Sequence, residues 1–133
     1  LVGSEMCIRD SNYPILIDQP EDDLDNRAIY HELVQYLRDK KGVRQIILVT
    51  HNPNIVVGAD AEEVIVANQN GIHNENPESK KFCYRTGALE ESFNNEKQEC
   101  ILYQYGIREH VCEILEGGKD AFRIREQKYN LSE

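Results

Sequence analysis

The sequence predicts an α/β fold of parallel strands with helices, followed by a helical C-terminal segment. Two observations carry this. The apolar runs Tyr13–Ile17 and Gln45–Thr50 flank a stretch of helical periodicity, and strand, helix and strand in that order make a right-handed βαβ unit with parallel strands. From about Glu96 onward the apolar residues recur at helical spacing again. With 133 residues the chain is one domain at most, and 40% hydrophobic with 29% charged residues is ordinary globular composition.

Each element has a local cause. Tyr13–Ile17 carries only apolar or aromatic side chains, as a strand buried on both faces does, with Pro14 tolerated near its start. Asp25 or Asn26 caps a helix running to about Lys41, with Ile29, Leu33 and Leu37 at i, i+4, i+8 and Val34 widening the stripe. Arg38, Lys40 and Lys41 suit the negative end of its dipole, and Gly42 ends it. After the second strand, Asn52-Pro53 caps and opens a short helix over Pro53–Val57. Val64–Ala67 forms a third strand and Asn70-Gly71 a turn. Asn74–Lys81 is a polar loop, Phe82–Arg85 a further strand ended by Thr86-Gly87. The final helical region uses Ile101, Tyr105, Val111, Ile114 and Leu115 as its stripe, breaks at Gly117-Gly118 and ends in a charged helix over Lys119–Tyr129.

Leu1–Ser11 (LVGSEMCIRDS) has neither helical nor strand periodicity and no signal-peptide core. It resembles the in-frame translation of a transposase adapter used to prepare sequencing libraries, so it is set aside as artefact. The one methionine, Met6, lies within it, so the remainder is expected to be a C-terminal fragment of a longer protein. The net charge of −9 becomes −8 without that segment. Such a balance argues against a phosphate-backbone binding surface on this piece, which would need clustered Lys and Arg. No apolar run approaches the roughly 20 residues of a membrane helix. Outside the artefact, Cys83, Cys100 and Cys112 have no C-x-x-C partner, which favours reduced structural thiols in a cytoplasmic protein. With His73 and His110 they show no zinc-finger spacing.

The segment ILIDQPEDDLDN (Ile15–Asn26) places five acids within eight positions from Asp18 to Asp25. Ligands of open α/β sheets collect at the carboxyl ends of parallel strands. Asp18 and His51 each follow a strand of the same βαβ unit, so both face one crevice. An acid after an apolar strand is the physical form of a Walker B carboxylate, held rigidly toward Mg²⁺ or its water shell. The plain alternatives are an Asp that caps the next turn and a βα-loop histidine bonded to backbone.

The wider string resembles the Walker B and D-loop region of ABC-type ATPases, especially the SMC/RecF/RecN-like group. That pattern is four apolar residues, Asp-Glu-Pro, three variable residues and Leu-Asp; here Pro14 stands at the first apolar place and Gln19 at the glutamate. Ile46–His51 (IILVTH) is similar to the strand and switch histidine of the same families. DQPEDDLDN and the tail from Cys112 to Tyr129 also resemble AAA-like ATPases found beside PHP phosphoesterase domains (TrlF-like) and in phage defence. The resemblance implies a P-loop NTPase-like fold, the C-terminal part of an ABC ATPase head. Residues 12–72 would be its Walker B, D-loop and switch-His half, and 73–133 a strand and helical extension of the same domain. It further implies ATP and Mg²⁺ as ligands, with Asp18 on the metal, His51 on the γ-phosphate and Asp25 at the partner subunit of a nucleotide-sandwich homodimer. Nucleic acid would engage regions outside this sequence.

Gln19 departs from the pattern, because an amide accepts no proton as a carboxylate does. Either Glu21 supplies the carboxylate, or the parent hydrolyses slowly and acts as an ATP-gated clamp. Gly117-Gly118-Lys119 is no P-loop, since Glu113 and Asp120 replace its first glycine and its Ser or Thr. Neither a Walker A nor a Ser-Gly-Gly signature segment occurs, so the fragment itself is expected to be inactive. Two other readings remain: a Toprim-like Mg²⁺-dependent nuclease fragment, although its D-x-D spelling at Asp23-Leu24-Asp25 follows a turn and the second strand ends in Thr50-His51, and a non-catalytic interaction module whose acids are caps and solvated charge.

Overall fold

A computed structural model describes residues 12–72 and 74–131 of the chain. Residues 1–11, read above as adapter-derived, lie outside the described residues, as does His73. The chain divides between Ala59 and Asp60 into two compact units. It is mixed α/β, with one parallel and one antiparallel strand pair among the described residues.

The first unit holds β1 (Ile15–Asp18), a 3₁₀ turn (Pro20–Asp22), α1 (Asn26–Ala28), a π-helical turn (Ile29–Leu33), α2 (Val34–Lys40), β2 (Ile46–Val49) and α3 (Pro53–Gly58). β1 and β2 run parallel, Ile15 opposite Ile46 and Asp18 opposite Val49. The ladder continues past both ends, through Ile15 N–H to Gln45 O at 3.0 Å and Gln19 N–H to Val49 O at 2.8 Å. Successive side chains alternate between faces. Ile17, Ile46 and Leu48 pack on a core of Ile29, Val34, Leu37 and Ile55. The opposite face leaves Leu16, Ile47 and Val49 exposed by 69%, 49% and 51%. The expected burial on both faces is therefore corrected: the helical core of the unit lies on one face of the pair.

The helical stretch over 26–40 begins where expected, with Asp25 as its cap: Oδ1 accepts from the N–H of Arg27 at 2.9 Å and of Ala28 at 2.8 Å. Its interior differs from a regular helix. The π turn spaces bonded residues five apart rather than four, so the residue stacked on Ile29 is Val34 and not Leu33. Val34 is accordingly buried and Leu33 only half-buried.

The second unit holds β3 (Val64–Gln69), a 3₁₀ turn (Pro77–Ser79), β4 (Phe82–Gly87), α4 (Ile101–Gln104), α5 (Ile107–Glu116) and α6 (Gly118–Tyr129). β3 and β4 are antiparallel, Val64 opposite Gly87 and Gln69 opposite Phe82. Thr86 and Gly87, expected to end the last strand, thus belong to its ladder. The intervening loop wraps the buried Asn76, whose Nδ2 donates to Asn68 O at 3.2 Å and Lys80 O at 2.9 Å.

One continuous helix from Glu96 is not what forms. The break falls at Gly106, where an added Cβ would lie 2.5 Å from Glu91 O and 2.7 Å from Ser92 Cα, so passing backbone occupies the space. The core side of the helices is Leu102, Ile107 and Val111, joined by His110, whose Nε2–H donates to Leu102 O at 3.1 Å. Ile114, expected in the stripe, is 57% exposed. Gly117 ends α5 at φ 74°, the left-handed conformation glycine adopts without steric cost. Arg125 of α6 then donates to Glu116 O at 3.0 Å and pairs with the Glu116 carboxylate. Among the described residues no helix is long and apolar enough to cross a membrane, and Cys83, Cys100 and Cys112 are free thiols.

Two substitutions report on the first unit by urea denaturation. Ile29→Ala, at a side chain 1% exposed, is expected to cost roughly 2–5 kcal/mol through lost burial and cavity formation. Asp25→Ala, which removes the cap, is expected to cost about 1 kcal/mol.

Candidate functional site

At the carboxyl end of β1 the chain turns within one residue. Gln19 adopts φ 43° and ψ 57°, a left-handed conformation uncommon for a residue with a Cβ. Its N–H is still in the ladder with Val49 O, while its C=O accepts from Asp22 N–H at 3.2 Å. Pro20 opens the 3₁₀ turn that follows. The reversal sends Glu21 back toward the end of β2.

There one carboxylate oxygen gathers three groups. Glu21 Oε1 accepts from Thr50 Oγ1 at 2.7 Å and from the His51 N–H at 2.7 Å, and lies 3.0 Å from His51 Nδ1. The Glu21 side chain is only 6% exposed, whereas that of His51 is 64% exposed. Burial pushes the Glu21 carboxyl upward, but the His51 backbone N–H and the Thr50 hydroxyl outweigh it and hold it below its ordinary value of 4.5. Glu21 Oε2 is buried with no hydrogen-bond partner among the described residues.

A second tie runs beside the first. Asn52 N–H donates to Thr50 Oγ1 at 3.0 Å, Asn52 Oδ1 caps α3 through the Asn54 N–H at 2.9 Å, and Asn52 Nδ2 donates to Asn26 Oδ1 at 3.0 Å. The β2–α3 loop is thereby fastened both to the turn after β1 and to the start of α1.

The structure thus brings Glu21 and His51 into direct contact and sets Asp18, exposed, at the same end of the strand pair. Gln19 contributes its backbone to the ladder and is exposed. Asp25 directs its carboxylate at its own helix, beside an open groove lined by Arg27, Ala28, His31 and Glu32. Thr50 is the participant that sequence reasoning left without a role. The signal for it was its place between an apolar strand and His51.

Among the described residues no three His, Cys, Asp or Glu side chains converge as a metal-binding group. The lone carboxylate of Asp18 fits a single contact to a metal or to its water shell, in a site where phosphate and water supply the remaining oxygens. No family model, no curated protein and no solved structure matches the chain.

The sign of the Glu21 shift fixes a pH dependence. A carboxyl lowered on folding contributes stability that is full above its unfolded value and lost as pH falls through the folded one. The stability gap between the wild type and Glu21→Ala is therefore expected to be full above pH 4.5 and to close below it. Urea midpoints measured across that range read the gap directly.

Proposed function

We propose that this chain is the C-terminal part of the ATP-binding and ATP-hydrolysing head of an SMC/RecF-like ABC-type ATPase, coupled to nucleic-acid processing or phage defence. The observation that carries the reading is the buried Glu21 carboxylate bonded to Thr50 and His51 at the carboxyl end of a parallel strand pair whose other strand ends in Asp18.

In this reading Asp18 would hold Mg²⁺ or its water, and the metal would supply neutralisation of phosphate charge. The Glu21 contact sets the His51 ring: Nδ1–H donates to Oε1, and the other nitrogen faces outward. The exposed side of the His51 ring would contact the γ-phosphate. In this reading Glu21 is the acidic side chain that stands in for the one missing at Gln19. Asp25, whose carboxylate caps its own helix, would lie in the loop that meets the partner subunit of a nucleotide-sandwich dimer. The phosphate cradle would come from a Walker A segment elsewhere in the parent protein.

The test is made in the protein encoded by the uninterrupted reading frame. Titration calorimetry should find Mg²⁺-dependent ATP binding, lost in Asp18→Ala; a frame with no Walker A and no signature segment would sink the proposal. Glu21→Gln is expected to lower turnover about 10²–10⁴-fold, the usual worth of general acid–base catalysis, and Gln19→Glu to change it less. Unaltered turnover in Glu21→Gln would remove Glu21 from the chemistry and leave it a strut.

A further inference from the structure

The turn between β3 and β4 carries chemistry outside the ATP reading. Asn70 is the one asparagine of the chain followed by glycine, and both residues are exposed. Among the described residues the Gly71 N–H donates over a long 3.3 Å to Asn74 O. The Asn70 side-chain carbonyl accepts from the backbone N–H of Asn76 at 2.7 Å. That donor is fixed in place: Asn76 is 5% exposed and tied to Asn68 and Lys80 through its own side chain.

We propose that Asn70 is a modification site, at which the Gly71 backbone nitrogen displaces the side-chain amide while the Asn76 N–H stabilises the developing charge. Hydroxide removes the Gly71 amide proton, and the nitrogen forms a bond to Asn70 Cγ. The carbonyl electron pair moves onto Oδ1, where the Asn76 N–H already sits at the distance an oxyanion donor requires. Collapse breaks the Cγ–Nδ2 bond, and the amide nitrogen takes a proton from water and leaves as ammonia. A water molecule then opens the cyclic imide. Opening at Cγ gives aspartate, and opening at the main-chain carbonyl gives isoaspartate. The balance is one water consumed and one ammonia released, with no change of oxidation state.

Glycine is the residue whose nitrogen is least shielded. Asn52 and Asn76 cannot follow this route, because Pro53 and Pro77 carry no N–H. The two products differ in consequence. Aspartate keeps the acceptor for Asn76 and adds a negative charge. Isoaspartate lengthens the backbone by one methylene, which breaks the pairing of Asn70 N–H with Lys81 O, now 2.9 Å.

The folded chain is incubated in mildly alkaline buffer and digested, and each asparagine peptide is followed by mass spectrometry and isoaspartate analysis. Conversion at Asn70 is expected ahead of every other asparagine. Gly71→Ala fits the fold, since its Cβ would meet nothing nearer than Gln69 O at 4.0 Å. It is expected to slow the reaction roughly tenfold, equivalent to about 1.4 kcal/mol on the barrier. The same chain unfolded in urea should convert no faster than the folded one, because the donor is preformed only in the hairpin. Faster conversion in urea, or a Gly71→Ala rate equal to wild type, would overturn the proposal.

Discussion

Taking a carboxylate out of water is costly unless hydrogen bonds replace its hydration. Glu21 meets that condition with one oxygen, which takes the Thr50 hydroxyl and the His51 N–H, both at 2.7 Å. Everything at the strand ends depends on this contact. It requires the chain to reverse at once after β1, which Gln19 does by adopting a left-handed backbone. It fixes the loop after β2, which in turn positions Asn52 to cap α3 and to reach Asn26. Glu21 Oε2, buried and without a hydrogen-bond partner among the described residues, remains a localised cost.

The sequence made some of this legible and left other parts hidden, for definable reasons. Asp18 and His51 at adjacent strand ends follow from the spacing of two apolar runs around one helical stretch. The caps at Asp25 and Asn52 and the break at Gly117 are local chemistry, written in a few residues each. The site was harder. Pro20 made a turn after β1 plausible, but the hydroxyl of Thr50 acquires its partner only because residue 19 is left-handed, and no periodicity announces that.

The misjudged elements share a cause, since each was decided by a distant part of its own unit. The π turn at Ile29–Leu33 puts Val34 in the core and leaves Leu33 packed at its margin, although both lie in the expected stripe. Gly106 interrupts a good helical pattern because the backbone of Glu91 and Ser92 passes there. Thr86-Gly87 reads as a strand terminator, yet both residues find partners in β3.

The β1–β2 pair has a colloidal consequence. Among the described residues this sheet has two strands and no interior strand, so each of them is also an edge. Its face away from the helical core of the unit presents Leu16, Ile47 and Val49. Flat apolar edges of this kind are templates for another chain to add to. Against that tendency stands the net charge of −9, a repulsion between copies whose range shrinks to about 8 Å in physiological salt. Raising the salt concentration weakens that repulsion and leaves the apolar face of the pair as the surface on which copies would meet.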